Sequence, residues 1–185
     1  MRDACALLVQ YAHYHRDPRN IATHLVGIPI IVLAIGVLLA RPSIPLNPGS
    51  TLVLSPAWAL WAAASLWYLA RSALSREVWP VAVAVIAGNG LLKLMAHWLA
   101  AQWGPQWLAW GAGLFVFGWA LQFLGHYYEG RKPAFVDDLV GLLVGPMFVC
   151  AEALFAVGVC AALRNRINAE AGPVRLRDLH AGALR

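Results

Sequence analysis

Residues 21–40 read IATHLVGIPIIVLAIGVLLA, twenty residues with one histidine and no charged side chain. A helix needs about 20 apolar residues to cross roughly 30 Å of hydrocarbon. The whole chain has the same character, since 61% of its 185 residues are hydrophobic, 12% are charged and the mean hydropathy is +0.63. A soluble domain carries about twice that charged fraction. The sequence therefore predicts an integral membrane protein.

Four further apolar runs follow the first, over residues 52–70, 78–100, 107–124 and 139–163. Turn-forming or polar stretches rich in proline, glycine and charge separate them. We predict an all-α fold, a polytopic transmembrane helical bundle of about five spans with a short amino-terminal helix. Residues 1–185 form one integral membrane domain, and residues 164–185 form a polar tail that is solvated or interfacial.

Charge and cysteine usage exclude several classes of function. The net charge is +5 and the pI about 9.5, but the basic residues are scattered between apolar runs and form no stripe that follows a phosphate backbone. We therefore expect no nucleic-acid partner. The three cysteines lack CxxC spacing, which argues against a disulfide framework and a zinc ribbon. The alanine- and arginine-rich composition favours a bacterial inner membrane, or the endoplasmic reticulum in a eukaryote.

The first histidine cluster lies in residues 11–29, YAHYHRDPRNIATHLVGIP. Asp17 followed by Pro18 is typical of a helix start, so we predict that an amino-terminal helix ends near His15 and that the first span begins at Pro18. His13 and His15 are two residues apart and point to different faces of a helix. Because only one of them can reach a site shared with His24, we prefer His15, which shares a helix face with Tyr11.

The second cluster lies in residues 122–134, QFLGHYYEGRKPA, where the fourth span ends. His126 and Glu129 are three residues apart and are neighbours on a helix. His24 opens the first span and His126 closes the fourth, so an even number of crossings brings both to one membrane face. His97 follows an odd number of crossings. We expect it about 20 Å or more away, as a hydrogen-bonded histidine.

The spacing leaves two interpretations of these histidines open. Three imidazoles at one membrane face suit a divalent transition metal such as Fe, Zn or Cu. Alternatively, the rings hydrogen-bond polar neighbours and tie helix ends together, with Asn20, Gln122, Tyr127 and Glu129 as the partners. The spacing is not HExxH, so a zinc metalloprotease of that type is disfavoured.

Six other charged residues lie within or beside the predicted spans, and we interpret them separately. Lys93 and Glu152 lie within the third and fifth spans at similar depth, where an intramembrane ion pair competes with snorkelling of the lysine. Asp137 and Asp138 are expected to cap the fifth span. Arg131 and Lys132 are interpreted mainly as solvated loop charges, with attraction of a carboxylate as the alternative.

Taken together, the two histidine strings resemble those of the membrane 2-hydroxy fatty acid dioxygenases. The matching positions are His15, Asn20, His24, Gly27 and Pro29 in the first string and Gln122, Gly125, His126, Glu129, Pro133 and Ala134 in the second. The resemblance spans residues 11–146, although the middle spans match only as apolar sequence. It implies Fe(II) held by His15, His24 and His126, with Asn20, Gln122 and Glu129 near the metal or its ligands.

The resemblance also implies a reaction, in which a 2-hydroxy fatty acid and O2 give the fatty acid one carbon shorter, CO2 and water. This equation balances without an outside electron donor, and the chain has no flavin, nicotinamide or haem-attachment motif. In this interpretation Asn20 and Gln122 orient the ligands, and Glu129 is either a ligand or a base for the hydroxyl proton.

Three other functions compete with the enzyme. The first is a non-catalytic membrane module for lipid binding or assembly, with structural histidines. The second is a membrane haem protein with His15 and His126 as axial ligands. The third is a zinc-dependent lipid hydrolase, whose activity would not need O2.

Overall fold

The fold was obtained as a computed structural model, which describes residues 2–47, 53–133 and 139–179. Within these residues it is all-α apart from one two-residue strand pair, and seven helices follow one another along the chain. They are α1 (Ala4–Ala12), α2 (Pro18–Leu38), α3 (Pro56–Ser72), α4 (Trp79–Gln102), α5 (Trp107–Glu129), α6 (Gly141–Ala156) and α7 (Ala161–Ala171). Short 3-10 turns, Arg76–Val78 and Gly104–Gln106, lead into α4 and α5.

Three helical stretches of the described chain are long and apolar enough to cross a membrane, namely Pro18–Leu38, Arg76–Gln102 and Gly104–Glu129. A fourth is reached if α6 and α7 together form one bent span. The expectation of about five spans is corrected to three or four. The region predicted as the second span, residues 52–70, begins with β2 (Val53–Leu54), which pairs with β1 (Ile44–Pro45) from the preceding turn, and its helix α3 has only 17 residues.

The run predicted as the fifth span, residues 139–163, is not one straight helix. It breaks between α6 and α7, whose axes differ by 116°. Gly158 and Cys160 at the break have φ of 81° and 61°, in the left-handed region that ends a right-handed helix. The predicted caps Asp137 and Asp138, like Ala134 of the second string, lie outside the described residues.

The entry into α2 follows the sequence prediction. Asp17 caps the helix, its side chain accepting from the backbone N–H of Arg19, and Pro18 occupies the first turn. The amino-terminal helix α1 ends at Ala12, so His15 lies in the turn between α1 and α2. That turn carries one of the predicted ligands between two helix ends.

Close packing of α2 on α5 sets the distance between the two histidine clusters. A Cβ on Gly27 would lie 3.0 Å from the carbonyl oxygen of Gly118 and closer still to the amide of Gln122. A Cβ on Gly118 would lie 2.6 Å from Ile31 Cγ1. Because neither glycine has a side chain, the antiparallel helices approach closely enough for His24 and His126 to meet.

The main apolar core lies around the amino-terminal helix, where α1 packs against α6, α7 and α3 and where side chains from the start of α4 join the same cluster. Leu163 and Ile167 of α7 are fully buried in it. The first part of the stretch expected as a polar tail is therefore a packed helix.

The ion pair between Lys93 and Glu152, one of the two alternatives for these charges, does not form. Lys93 Nζ donates to the carbonyl oxygen of Val32 at 2.9 Å, and the Glu152 carboxylate lies 3.8 Å from the Arg16 guanidinium. Arg16 lies two residues before the start of α2, whereas Val32 lies about 20 Å farther along that helix by its rise. The two charges therefore lie at different depths.

Candidate metal centre

Three buried histidines meet at the end of the bundle where α2 begins and α5 ends. His15 comes from the turn after α1, His24 from the second turn of α2 and His126 from the last turn of α5. Their ring centroids are 4.5 Å (His15–His24), 4.9 Å (His15–His126) and 5.0 Å (His24–His126) apart. One ligand nitrogen of each ring lies within 4.8 Å of the other two. The spatial convergence predicted from the chain topology is confirmed.

Backbone carbonyls fix two of the rings. His15 Nδ1 donates to the Tyr11 carbonyl at 2.7 Å, and His24 Nδ1 donates to the Asn20 carbonyl at 2.9 Å. In a neutral imidazole whose Nδ1 carries the hydrogen, Nε2 is a bare acceptor. The two Nε2 atoms are 3.1 Å apart, so two lone pairs face each other. This arrangement favours a cation held between them.

The donor set fits a transition metal. Two nitrogens at about 2.1 Å from one ion and about 90–110° apart are separated by roughly 3.0–3.4 Å. The Nε2 atoms of His15 and His24 meet this requirement at 3.1 Å. Burial holds the pKa of His15 well below its usual range, which keeps the ring neutral as metal binding requires. His15, His24 and His126 can therefore hold a divalent ion together.

Glu129 lies beside this cluster but is not part of it. Its carboxylate accepts from the backbone N–H groups of Arg16 at 2.9 Å and Asp17 at 2.8 Å, and from the side-chain amide of Asn20 at 3.1 Å. These bonds span more than a hundred residues and tie the end of α5 to the turn that carries His15. In this structure Glu129 anchors the turn.

The two predicted amides occupy different positions. Asn20 orients His24 through its backbone carbonyl, and its side chain donates to the Tyr14 carbonyl at 3.1 Å. Gln122 is buried beside His24 and His126, and among the described residues its Nε2 has no hydrogen-bond partner. An unpaired buried donor is costly. Gln122 is thus a free donor next to the histidine cluster.

The remaining histidines of the described chain lie elsewhere. His13 is exposed, as the facing argument predicted, and Arg131 donates to its backbone carbonyl at 2.7 Å. His97 Nδ1 donates to the Lys93 carbonyl at 2.7 Å, and its Nε2 accepts from Ser55 Oγ at 2.7 Å. His97 borders a cavity with Ala40, at the far end of α2 from His24. The prediction of a distant, hydrogen-bonded histidine is confirmed.

Tail contacts around the site were not predicted. The backbone N–H of Arg175 donates to the Arg16 carbonyl at 3.0 Å, and that of Arg177 donates to the Asp17 carboxylate at 2.8 Å. A side-chain hydrogen bond from Arg19 lowers the pKa of the Asp17 carboxyl to about 2. The tail thus lies across the turn that carries His15. Backbone donors of this kind leave no signal in a sequence.

A cavity of about 210 Å³ opens from the histidine cluster between α2, α5 and α6. His24, His126, Gln122 and Tyr11 provide its polar wall. The rest of the lining consists of apolar side chains and glycines, namely Ile28, Ile31, Val32, Ile35, Phe115, Trp119, Gly141, Leu142, Gly145 and Pro146. A concave, mostly apolar site with a few polar groups at one end is typical of a small-molecule pocket.

Comparison with known proteins identifies the family. The model of a family described as "2-hydroxy-palmitic acid dioxygenase Mpo1-like" matches residues 1–157. This chain belongs to that family. A curated relative, the 2-hydroxy-palmitic acid dioxygenase MPO1 of Saccharomyces cerevisiae, is 31% identical over 160 residues, which cover 85% of this chain and 83% of the yeast protein. No solved structure matches the chain significantly.

The matched range includes both histidine strings and ends at the break between α6 and α7. The resemblance inferred from the sequence is therefore confirmed at the level of the family. Helix α7 and the tail that contacts Arg16 and Asp17 lie beyond the matched range. These contacts are features of this chain that the family match does not describe.

Proposed function

We propose that this protein is an Fe(II)-dependent dioxygenase that performs α-oxidation of 2-hydroxy fatty acids. A 2-hydroxy acid R–CH(OH)–COOH and O2 give R–COOH, CO2 and H2O, and four electrons pass from the substrate to O2. The observation that carries the proposal is the cluster of three buried histidines with facing Nε2 atoms in a chain of the dioxygenase family.

His15, His24 and His126 are the proposed ligands. A ferrous ion bound there would supply open coordination positions for O2 and for the carboxylate and hydroxyl of the substrate. The carbonyls of Tyr11 and Asn20 fix two of the rings in the tautomer that ligation requires. The chain thus prepares the donor nitrogens before substrate arrives.

The polar residues around the ligands have distinct proposed roles. Glu129 positions the turn that carries His15, and the geometry favours this role over that of ligand or base. Asn20 links His24 to Glu129. Gln122, with its unpaired Nε2, donates to the carboxylate or hydroxyl of the substrate. Arg131 is exposed and bonds His13, so it is a loop charge in this account.

The membrane setting fits an insoluble substrate. Two of the candidate spans, Pro18–Leu38 and Gly104–Glu129, line the cavity beside the site, and the acyl tail of the substrate lies among the spans in this proposal. We place the protein in a bacterial inner membrane, which it crosses three or four times. The haem alternative is not kept, because His15 and His126 rings with centroids 4.9 Å apart leave no room for a porphyrin between them.

The decisive test is turnover by purified protein. The protein is prepared without O2, loaded with ferrous iron and given 2-hydroxyhexadecanoate and O2, and products are analysed by mass. We expect pentadecanoate and CO2, formed only with both iron and O2. Hydrolysis of an ester of the same acid, with zinc and without O2, would instead indicate a lipid hydrolase. No product and no bound metal would favour a non-catalytic module with structural histidines.

A further inference from the structure

The cavity beside the histidines is built on two matching helical stripes. On α2 the lining residues are His24, Ile28, Ile31, Val32 and Ile35. These positions recur every three or four residues and so share one helix face. The stripe begins at a predicted metal ligand and continues only with aliphatic side chains.

The antiparallel helix α5 carries the complementary stripe. Its lining residues are His126, Gln122, Trp119 and Phe115, again spaced by three or four residues. Each stripe covers eleven residues from its histidine, a distance of about 16 Å by helix rise. The polar end of the cavity therefore lies at the ligands, and the apolar end lies at Ile35 and Phe115.

Burial changes along this path. Gly141, Gly145 and Pro146 of α6 form a wall at the histidine end. Ile31, Ile35, Phe115 and Trp119 farther along are only half-buried in the protein. Both helices are candidate spans, so these half-buried side chains face hydrocarbon. The cavity is thus a groove that is enclosed at the histidines and open sideways toward the lipid.

We propose that this groove binds the alkyl chain of the substrate, with the 2-hydroxy acid head at the histidines. The inference rests on the proposed function and adds the site that selects substrates by the length of their alkyl chain. Because the tail otherwise lies in lipid and not in water, the groove gains little from hydrophobic transfer and selects its chain by packing and shape. The head is the only part of such a substrate that needs the polar wall.

The length of the groove determines which length of alkyl chain fills it. A fully extended chain advances roughly 1.2 Å per bond, as in a peptide unit of three bonds spanning about 3.6 Å. About 16 Å therefore holds roughly 13 carbons beyond the head. Substrates of about 14–16 carbons fill the groove, and a shorter chain ends before it reaches Ile35.

The first experiment shortens the groove at its far end. Ile35→Trp fills the space opposite Phe115, whereas Val116→Trp places the same ring at an exposed position of α5 at similar depth. We expect Ile35→Trp to lower kcat/KM for 2-hydroxyhexadecanoate at least about tenfold, since displacement of a bound reacting group can cost a hundredfold. Turnover of 2-hydroxyoctanoate is expected to stay unchanged, and Val116→Trp is expected to match the wild type with both acids.

The second experiment does not depend on turnover. Metal-free protein in detergent is titrated with 2-hydroxyhexadecanoate brominated about ten carbons along the chain, at the level of Trp119. Bromine quenches indole fluorescence on contact. We expect a saturable part of the quenching to disappear in Trp119→Phe and to persist in Trp110→Phe, a control on the same helix whose ring is 53% exposed.

The outcomes separate the two proposals. If the wild type turns over substrate but Ile35→Trp keeps the wild-type preference for chain length, the groove proposal is wrong and the proposed function stands. If neither the wild type nor any variant shows turnover, the proposed function fails. The quenching titration alone then decides whether the groove binds the alkyl chain. Quenching that is identical in Trp119→Phe and Trp110→Phe overturns the groove as the binding site.

Discussion

Histidines lie at both ends of this bundle, half-buried at one end and buried at the other, and they differ in hydrogen bonding. At one end, both ring nitrogens of His97 are paired, one with the Lys93 carbonyl and one with the Ser55 hydroxyl. At the other end, His15 and His24 each use Nδ1 for a carbonyl and turn a bare Nε2 toward the other. The same residue type has both ring nitrogens paired in one place and keeps an acceptor nitrogen that could bind a metal ion in the other.

The surroundings differ in the same way. His97 stacks on Trp58, with ring centroids 5.5 Å apart, and no second histidine or acidic residue of the described chain forms a ligand group with it. The His15 end combines a carboxylate that anchors backbone, an unpaired amide on Gln122 and a cavity that opens into the bundle. His97 therefore differs from His15 and His24 both in burial and in the pairing of its second ring nitrogen.

The largest expected effect comes from removing a ligand. His15→Ala is predicted to abolish iron binding and to lower α-oxidation by more than about a hundredfold, since even residues that only orient a ligand are worth 10–100-fold. His13→Ala, two residues away and exposed, is the matched control and is expected to behave like the wild type. Iron content and pentadecanoate formation are measured. Equal losses in both variants would remove the distinction between the two histidines.

A smaller effect is expected at the anchor of the turn. Glu129→Gln weakens charge-assisted hydrogen bonds to the N–H groups of Arg16 and Asp17, and we expect it to cost about 2 kcal/mol of stability and roughly tenfold in iron affinity. Because Glu129 positions the turn, turnover at saturating iron should return close to the wild-type value. Turnover that stays low when iron is saturating would make Glu129 a catalytic base instead.

Loss of a helix cap gives an effect that depends on location. Asp17→Ala and Asp3→Ala each remove the side chain that caps a helix, α2 and α1 respectively, at a cost of about 1 kcal/mol. Only Asp17 also holds the tail, through the N–H of Arg177. Both variants should melt at lower temperature in detergent, but only Asp17→Ala should weaken iron binding. An iron affinity lowered equally by Asp3→Ala would show that the effect is general loss of stability.

The smallest effect is predicted at the opposite end. His97→Gln removes one ring with two hydrogen bonds and is expected to cost about 1 kcal/mol with no change in iron content or turnover. Its effect on stability should be non-additive with Ser55→Ala, because the two side chains share one bond. A double-mutant cycle of thermal stability in detergent checks this. Loss of iron in His97→Gln would contradict the contrast drawn above.

The sequence predicted what depends on residue spacing and on the alternating direction of successive helices. The cap at Asp17 is local, and four successive helices from α2 to α5 bring His24 and His126 to the same end of the bundle. The choice of His15 over His13 was correct, although both residues follow the end of α1 at Ala12 and not a shared helix. A pattern of residue types is enough to predict the first two of these features.

What the sequence did not predict depends on backbone groups and on tertiary packing. Residues 139–163 have continuous hydropathy, but positive φ at Gly158 and Cys160 breaks the helix between α6 and α7. Tertiary packing places Glu152 beside Arg16, while Lys93 bonds the Val32 carbonyl. Glu129 binds main-chain N–H groups, which every residue carries, so its partners leave no signature. Such contacts can be identified only from the three-dimensional structure.

The proposed metal centre is one ion held by imidazoles from three separate parts of the chain. X-ray absorption at the iron edge of anaerobically loaded protein measures this directly, because imidazole ligands give a characteristic multiple-scattering pattern. We predict about one ferrous ion per chain with three histidine ligands, and loss of the pattern in His24→Ala but not in His97→Gln. Iron bound without imidazole scattering, or no bound iron in the wild type, would contradict it.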